Sequence, residues 1–169
     1  MMMQQIKHKQ TQILGQILAE QKSLREKSTV LINKYLNEQN HKRALKFLRE
    51  INVVEDMLRR LEDAKEEAVK TIFKQLVDIH PAFEDANVDA FHGGVMTPCG
   101  LIQGHVLVIR VEKFHVDENE FKRIISALRE IGRKQEVDVI LAVDWWENRM
   151  PPAPKPVCDY FYYVYHIRR

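Results

Sequence analysis

Two histidines and a cysteine in a glycine-containing segment are the first candidates for chemistry. His92, Cys99 and His105 are separated by six and five residues. Imidazole and thiolate are ligands that zinc prefers, but a structural zinc site needs four of them, commonly supplied as closely spaced pairs. The sequence contains no such pair here, and nothing fixes a fourth ligand. A metal site at these three residues is therefore an alternative, and we predict no cofactor.

A phosphoesterase mechanism based on two histidines is the next candidate. Enzymes of that kind place two histidines on paired strands, each followed two positions later by serine or threonine. His105 and His166 fall on predicted strands, but Leu107 and Arg168 occupy the hydroxyl positions. Without those hydroxyls a phosphate loses hydrogen bonds that the reaction uses. A small metal- or histidine-dependent phosphoesterase is our third hypothesis, and we expect the protein not to be an enzyme.

A group of basic side chains gathers where two predicted helices meet. Its members are Lys34, Lys42, Arg43, Lys46 and Arg49. Lys42, Lys46 and Arg49 share one helix face by their spacing, and backbone phosphates are natural partners of such a face. A solvated helix flank explains the same residues, since Glu38 and Glu50 lie nearby. Nucleic acid binding through this basic tip is our second hypothesis.

Residues 145–156 form the most unusual segment of the sequence, with two tryptophans followed by four prolines. Neighbouring strand residues point to opposite sides, so both tryptophans cannot face the core. Strand parity assigns Trp145 to the core and Trp146 to the surface. Exposed Trp, Arg and Met side chains anchor interfaces, although a stiff loop that covers a sheet edge is the alternative. We predict a partner-binding surface at Trp146, Arg149, Met150, Pro151 and Pro154.

The elements that position these residues differ on the two sides of Pro81. Before it there is one glycine and no proline, which favours helix. Apolar residues recur at spacings of three and four over 44–72 and again over 14–35, with polar layers that include Gln10, Gln21 and Ser28. This is the pattern of a coiled coil. It predicts a long antiparallel helical hairpin over residues 1–80 whose wide apolar stripe mediates self-association, with a dimer as the first choice.

The second half reads as a small α/β domain. Residues 81–103 form a linker with a candidate edge strand over 95–103. The predicted elements are a strand over 104–114, a helix over 117–132, a strand over 137–146 and a strand over 159–167. Asp117 and Glu120 form a capping box at the start of the helix. A strand–helix–strand unit predicts a parallel strand pair, so the fold class is α+β with a three- to four-stranded mixed sheet and one helix.

Composition limits the remaining function classes. The chain has 169 residues, of which 45% are hydrophobic and 30% charged, the usual mix of a globular protein. No 18-residue apolar run exists, so we expect no membrane partner. Residues 1–12 lack an apolar signal region, and two cysteines are too few for a disulfide framework. We therefore expect reduced thiols and a cytoplasmic protein.

The charge distribution separates the two halves without deciding the function. Residues 1–80 carry 15 basic and 11 acidic side chains, a net charge of +4, whereas residues 81–169 carry 11 and 13, a net charge of −2.

Our leading hypothesis is a non-enzymatic interaction, adaptor or inhibitor protein. It oligomerises through the hairpin and binds a protein of unknown identity through the α/β domain and its Trp–Pro loop.

Overall fold

Two long helices open the structure, a computed structural model that describes residues 13–169. Helix α1 spans Leu14–Asn37 and helix α2 spans His41–Ile79, and they pack as an antiparallel pair. The side chain of Asn40 accepts hydrogen bonds from the backbone N–H groups of Lys42 and Arg43, which caps α2. The predicted helical hairpin is confirmed within these residues, and the polar layer at Gln10 lies outside them.

The polar layers between the two helices are hydrogen-bonded across the pair. Gln21 Nε2 donates to Glu62 at 2.9 Å and Ser28 Oγ donates to Glu55 at 3.0 Å. Both donors are buried, and a buried polar group without a partner costs about 1–3 kcal/mol. These two bonds therefore favour the one alignment of α1 and α2 in which each layer meets its carboxylate.

An α/β region follows the hairpin after a short 3-10 turn at Pro81–Asp85. Its elements are β1 Asn87–Phe91, β2 Val95–Thr97, β3 Gly100–Ile102, β4 Val106–Val111, helix α3 Glu118–Gln135, β5 Asp138–Asp144, β6 Cys158–Tyr160 and β7 Tyr162–Ile167. Five strands form one mixed sheet in the order β1-β4-β5-β7-β6, with β4 and β5 parallel, and β2 and β3 form a separate hairpin. The predicted α+β class is confirmed, but short edge strands raise the strand number to five.

Helix α3 begins as the capping box predicts and ends later. Asp117 accepts a hydrogen bond from the backbone of Glu120 at 2.8 Å. The helix continues through Gly132 to Gln135, and Glu136 ends it in the left-handed conformation at φ 55°. A Cβ on Gly132 would lie 2.7 Å from the Val137 carbonyl oxygen. The glycine therefore lets the following strand approach the helix. The prediction that the helix ends at residue 132 is wrong.

The main core joins the helical hairpin to one face of the sheet, which we call the inner face. Leu14 and Leu18 of α1 and Ile72 and Leu76 of α2 are fully buried there, beside α3. Burial of one such side chain contributes about 1.5–3 kcal/mol. The base of the hairpin thus satisfies its apolar stripe against the sheet, whereas the half nearer the tip has only a small cluster of its own around Leu31.

A disulfide joins Cys99, in the turn between β2 and β3, to Cys158 at the start of β6. The expectation of two reduced thiols is therefore wrong. The two cysteines are 59 residues apart in sequence, and only the folding of the β2–β3 hairpin over the outer face of the sheet brings them together. The predicted cytoplasmic location loses the support that it drew from reduced thiols. No helix in the described part of the chain is long and apolar enough to cross a membrane.

Candidate functional site

Four exposed aromatic side chains gather at the end of β5 and at the β6–β7 turn. They are Trp145, Trp146, Tyr160 and Phe161, and we call them the aromatic surface. Trp146 is 75% exposed and Tyr160 is 58% exposed. Trp145 contacts Trp146 edge-on with ring centroids 5.3 Å apart, and Tyr160 contacts Phe161 at 4.4 Å. The backbone N–H of Trp145 donates to the Phe161 carbonyl at 3.0 Å, which joins the backbones that carry the two pairs.

The assignment of Trp145 to the core is wrong. Strand parity is correct as far as Val143, because Val137, Val139, Leu141 and Val143 are all buried in the main core. Strand β5 then ends at Asp144, whose side chain accepts a hydrogen bond from the Trp146 backbone at 2.9 Å and begins a turn. A turn does not continue the alternation of a strand, and Trp145 remains 40% exposed.

Phe161 has a backbone conformation that is rare for a bulky residue. It lies between β6 and β7, where Tyr160 pairs directly with Tyr162, and its φ angle is 64°. Left-handed backbone is unfavourable for a large side chain, and such strained residues cluster at functional sites. The tight turn presents the Phe161 ring to solvent at 45% exposure.

The loop after the tryptophans contributes unequally to this surface. Trp146 and Arg149 are exposed, whereas Pro151 and Pro154 are half-buried. Met150 packs against the main core. Trp146 and Arg149 are therefore the predicted partner-binding residues that the structure leaves most accessible, and Tyr160 and Phe161 join them from a hairpin that the sequence did not single out.

Asn148 fixes the base of this loop. It is buried, its Oδ1 accepts a hydrogen bond from Phe114 N at 2.8 Å, and its Nδ2 donates to the carbonyl oxygens of Glu112 and Asp144 at 2.6 and 2.8 Å. One side chain thus ties the segment after β4 to the segment after β5. Sequence reasoning missed it, because an asparagine in a loop is usually a solvated turn residue.

A small groove lies beside the aromatic surface on the outer face of the sheet. It measures about 140 Å³, its floor contains Val108, Ile140 and Ala142, and β2 forms its other wall. At its edge Arg110 donates a hydrogen bond to the Tyr162 hydroxyl and lies 4.7 Å from the centre of that ring. Because Tyr162 pairs with Tyr160, the groove and the aromatic surface are neighbours.

The three residues of the alternative metal site do not form one. The Cys99 sulfur is bonded to Cys158 and is not available as a thiolate ligand. Within residues 13–169, no group of three or more His, Cys, Asp or Glu side chains is arranged to hold a metal ion. His105 also does not pair with His166, whose Nε2 lies 2.9 Å from Asp138 instead.

The basic tip is exposed to solvent. Lys34, Lys42, Arg43, Lys46 and Arg49 are all exposed. None of the ion pairs within residues 13–169 includes a member of the tip; those on α2 join other residues, such as Arg59 and Arg60 with Asp56. The positive charge of the tip is therefore not neutralised by neighbouring carboxylates within the described residues.

Comparisons of the chain with protein-family models, with curated proteins and with solved structures found no match.

Proposed function

We propose that this protein is a non-enzymatic interaction protein, an adaptor or inhibitor, that binds a partner protein through the aromatic surface. The observation that supports this most is the exposure of four adjacent aromatic rings at one end of the sheet. Trp and Tyr are the residues most enriched among those that dominate binding energies at protein interfaces. Contiguous exposed apolar groups on a folded domain commonly mark an interaction site.

The rigidity of this surface also supports binding. Asn148 ties down the loop that carries the tryptophans, and the disulfide anchors Cys158, two residues before Tyr160. Ordering a flexible side chain at an interface costs about 0.5–1.5 kcal/mol. Rings that are already held in place lose less conformational entropy on binding, so their burial contributes more fully to affinity.

The charge of the α/β half favours a protein over a nucleic acid at this surface. Residues 81–169 carry a net charge of −2, and Glu147 and Asp159, next to the aromatic residues in sequence, are exposed. Phosphate backbones require a basic surface. A partner with an apolar centre and basic rim residues complements the aromatic surface better.

Site-specific photocrosslinking tests this proposal. A photoreactive phenylalanine analogue replaces Trp146 or Phe161, and a matched protein carries it at the exposed Lys134 on α3. We expect one protein to crosslink from positions 146 and 161 and not from position 134. Excess wild-type protein should suppress that crosslink, and excess Trp146→Ala protein should not. Equal crosslinking from all three positions would contradict the proposal.

We further propose that the hairpin mediates self-association through its tip half. Six apolar side chains there remain at least 39% exposed: Val30, Ile32, Leu36, Leu45, Val53 and Met57. Ile32 and Leu36 lie one turn apart on α1, as do Val53 and Met57 on α2. A second copy of the same hairpin offers the same apolar residues in return, which is the usual arrangement of a symmetric dimer.

The exposed basic tip supports nucleic acid binding as a second candidate function. Each phosphate contact should make the logarithm of the affinity fall with the logarithm of salt concentration by a slope of about 0.9. Fluorescence anisotropy with a duplex and a single strand measures that slope. A Lys42→Gln/Lys46→Gln/Arg49→Gln protein should lose most of this salt dependence, whereas the exposed control Lys122→Gln on α3 should keep it. An affinity independent of salt would contradict this candidate.

A further inference from the structure

A cluster of basic side chains lies at the opposite end of the sheet from the aromatic surface. His92 follows β1 and His105 precedes β4. Because Phe91 pairs with Val106 in the antiparallel β1–β4 ladder, His92 and His105 are the next facing pair beyond its end. We call His92, His105, Lys22 and Arg25 the basic cluster.

Helix α1 brings the two other members to this end of the sheet. Gly15 packs against the backbone of Glu136, just before β5, and α1 also contacts β1. The helix therefore passes the strand ends that carry the histidines. Lys22 and Arg25 are three residues apart on α1, so they share a face, and both are exposed.

Positive charge accumulates around both histidines. Burial lowers the pKa of His92, and Arg25, His105, Lys65 and Lys22 lower it further in that order. Burial also lowers the pKa of His105, with Lys22 and then Arg169 as the charged contributors. Lys22 therefore disfavours a proton on both imidazoles, Arg25 and Lys65 disfavour it on His92, and Arg169 disfavours it on His105.

The carboxylates around the cluster are hydrogen-bonded or ion-paired to other groups, including Glu55, which lines the same cleft as Arg25 and accepts from Ser28. Glu62 and Asp89 lie 3.2 and 3.5 Å from the Lys65 ammonium, and Glu62 also accepts from Gln21. Asp138 lies 2.9 Å from His166 and accepts from the Arg169 backbone. Lys65 is therefore neutralised locally, whereas Lys22 and Arg25 form no ion pair within residues 13–169.

One nitrogen of the cluster has no hydrogen-bond partner. His105 Nδ1 is buried and makes no hydrogen bond within the described chain. A buried polar atom of this kind costs about 1–3 kcal/mol when it stays unpaired. In the tautomer that carries the proton on Nδ1, this N–H would be free to donate a hydrogen bond to an anion seated against the two histidines.

We propose that the basic cluster binds the phosphate group of a small solute. Arg25 supplies a planar guanidinium fork that matches phosphate oxygens, Lys22 supplies a compact charge, and the imidazoles donate N–H bonds. A dianionic phosphate suits four donors of this kind better than a monovalent anion does. This site is independent of the aromatic surface, so each proposal can fail without the other.

Titration of the protein with inorganic phosphate tests the proposal. Imidazole resonances followed by NMR should show saturable shifts of His92 and His105, with glycerol phosphate giving the same pattern and chloride at equal ionic strength giving none. Arg25→Gln and Lys22→Gln should each weaken binding about tenfold, the effect of losing one charge-assisted hydrogen bond. The exposed control Lys27→Gln, on another face of α1, and Trp146→Ala should bind normally.

Three results would overturn this assignment. One is the absence of saturable shifts at millimolar phosphate while the protein stays folded. Another is an equal affinity in wild-type, Arg25→Gln and Lys22→Gln proteins. Binding of duplex DNA through the same residues, without binding of inorganic phosphate, would also contradict it and assign the cluster to nucleic acid.

Discussion

At the scale of single residues, the titration of His92 and His105 is the most direct consequence of the basic cluster. Both imidazoles should titrate below the ordinary value of 6.5 in NMR experiments. Arg25→Gln should raise the pKa of His92 and leave that of His105 nearly unchanged, whereas Lys22→Gln should raise both. Identical values in all three proteins would mean that burial alone lowers them.

The lowered pKa values of His92 and His105 also determine how the two histidines affect the free energy of unfolding as the pH changes. Each histidine has a lower pKa in the folded protein than in the unfolded chain, so the unfolded chain binds more protons below pH 6.5. The free energy of unfolding should therefore fall as the pH drops through 6.5 and below. His92→Gln/His105→Gln should reduce that pH dependence in urea titrations, and an unchanged dependence would count against the charge distribution described for this end of the sheet.

Asn148 offers the clearest test of how the loop is held. Its side chain makes three hydrogen bonds to the backbone from a buried position. Asn148→Ala leaves these groups without that partner, so it should lower the free energy of unfolding by about 2–4 kcal/mol. The exposed Asn119→Ala should stay within about 0.5 kcal/mol of wild type. Equal urea midpoints for the two variants would show that the loop does not depend on Asn148.

At the scale of elements, the disulfide holds the β2–β3 hairpin on the sheet. A disulfide that closes a loop of this length, between cysteines 59 residues apart in sequence, stabilises a protein by about 2–4 kcal/mol. Cys99→Ser/Cys158→Ser should therefore unfold at a lower urea concentration than wild type without reductant. Adding reductant should lower the wild-type midpoint and leave the variant unchanged. If reductant changes neither protein, the disulfide does not stabilise the fold.

The sequence predicts those elements whose pattern is local. The two long helices, the Asp117 cap and the buried strands β4 and β5 all follow from apolar spacing and capping residues. Edge strand β1 was missed because Asn87–Phe91 is short and mostly exposed, so it lacks a full apolar alternation. The Cys99–Cys158 bond depends on a hairpin folding over the sheet, and no pattern within either segment indicates it.

The candidate site was predicted only in part, because some of its residues come from one local segment and others from a segment distant in sequence. Trp146 and Arg149, which follow the end of β5 at Asp144, are exposed as predicted. Tyr160 and Phe161 belong to a different hairpin, and only the pairing of β5 with β7 brings them to Trp145. Trp145 was placed in the core because the sequence does not reveal that β5 ends at Asp144, two residues before the predicted end at residue 146.

At the scale of the whole molecule, the tip half of the hairpin should determine the oligomeric state. Light scattering on a sizing column should give about twice the 20.0 kDa mass of one chain. Leu36→Asp/Leu45→Asp places charges among the exposed apolar residues and should yield a single chain, whereas Leu101→Asp on β3 should not change the mass. A wild-type mass of one chain at micromolar concentration would contradict self-association.

The affinity for the crosslinked partner tests the central claim that the aromatic surface binds a protein. Calorimetry with that partner, purified, compares wild type with Trp146→Ala and Leu101→Ala, two truncations of side chains that are 75% and 52% exposed. We expect Trp146→Ala to weaken binding at least about tenfold with an unchanged melting temperature, and Leu101→Ala to bind as wild type does. Equal dissociation constants for all three proteins would contradict the claim.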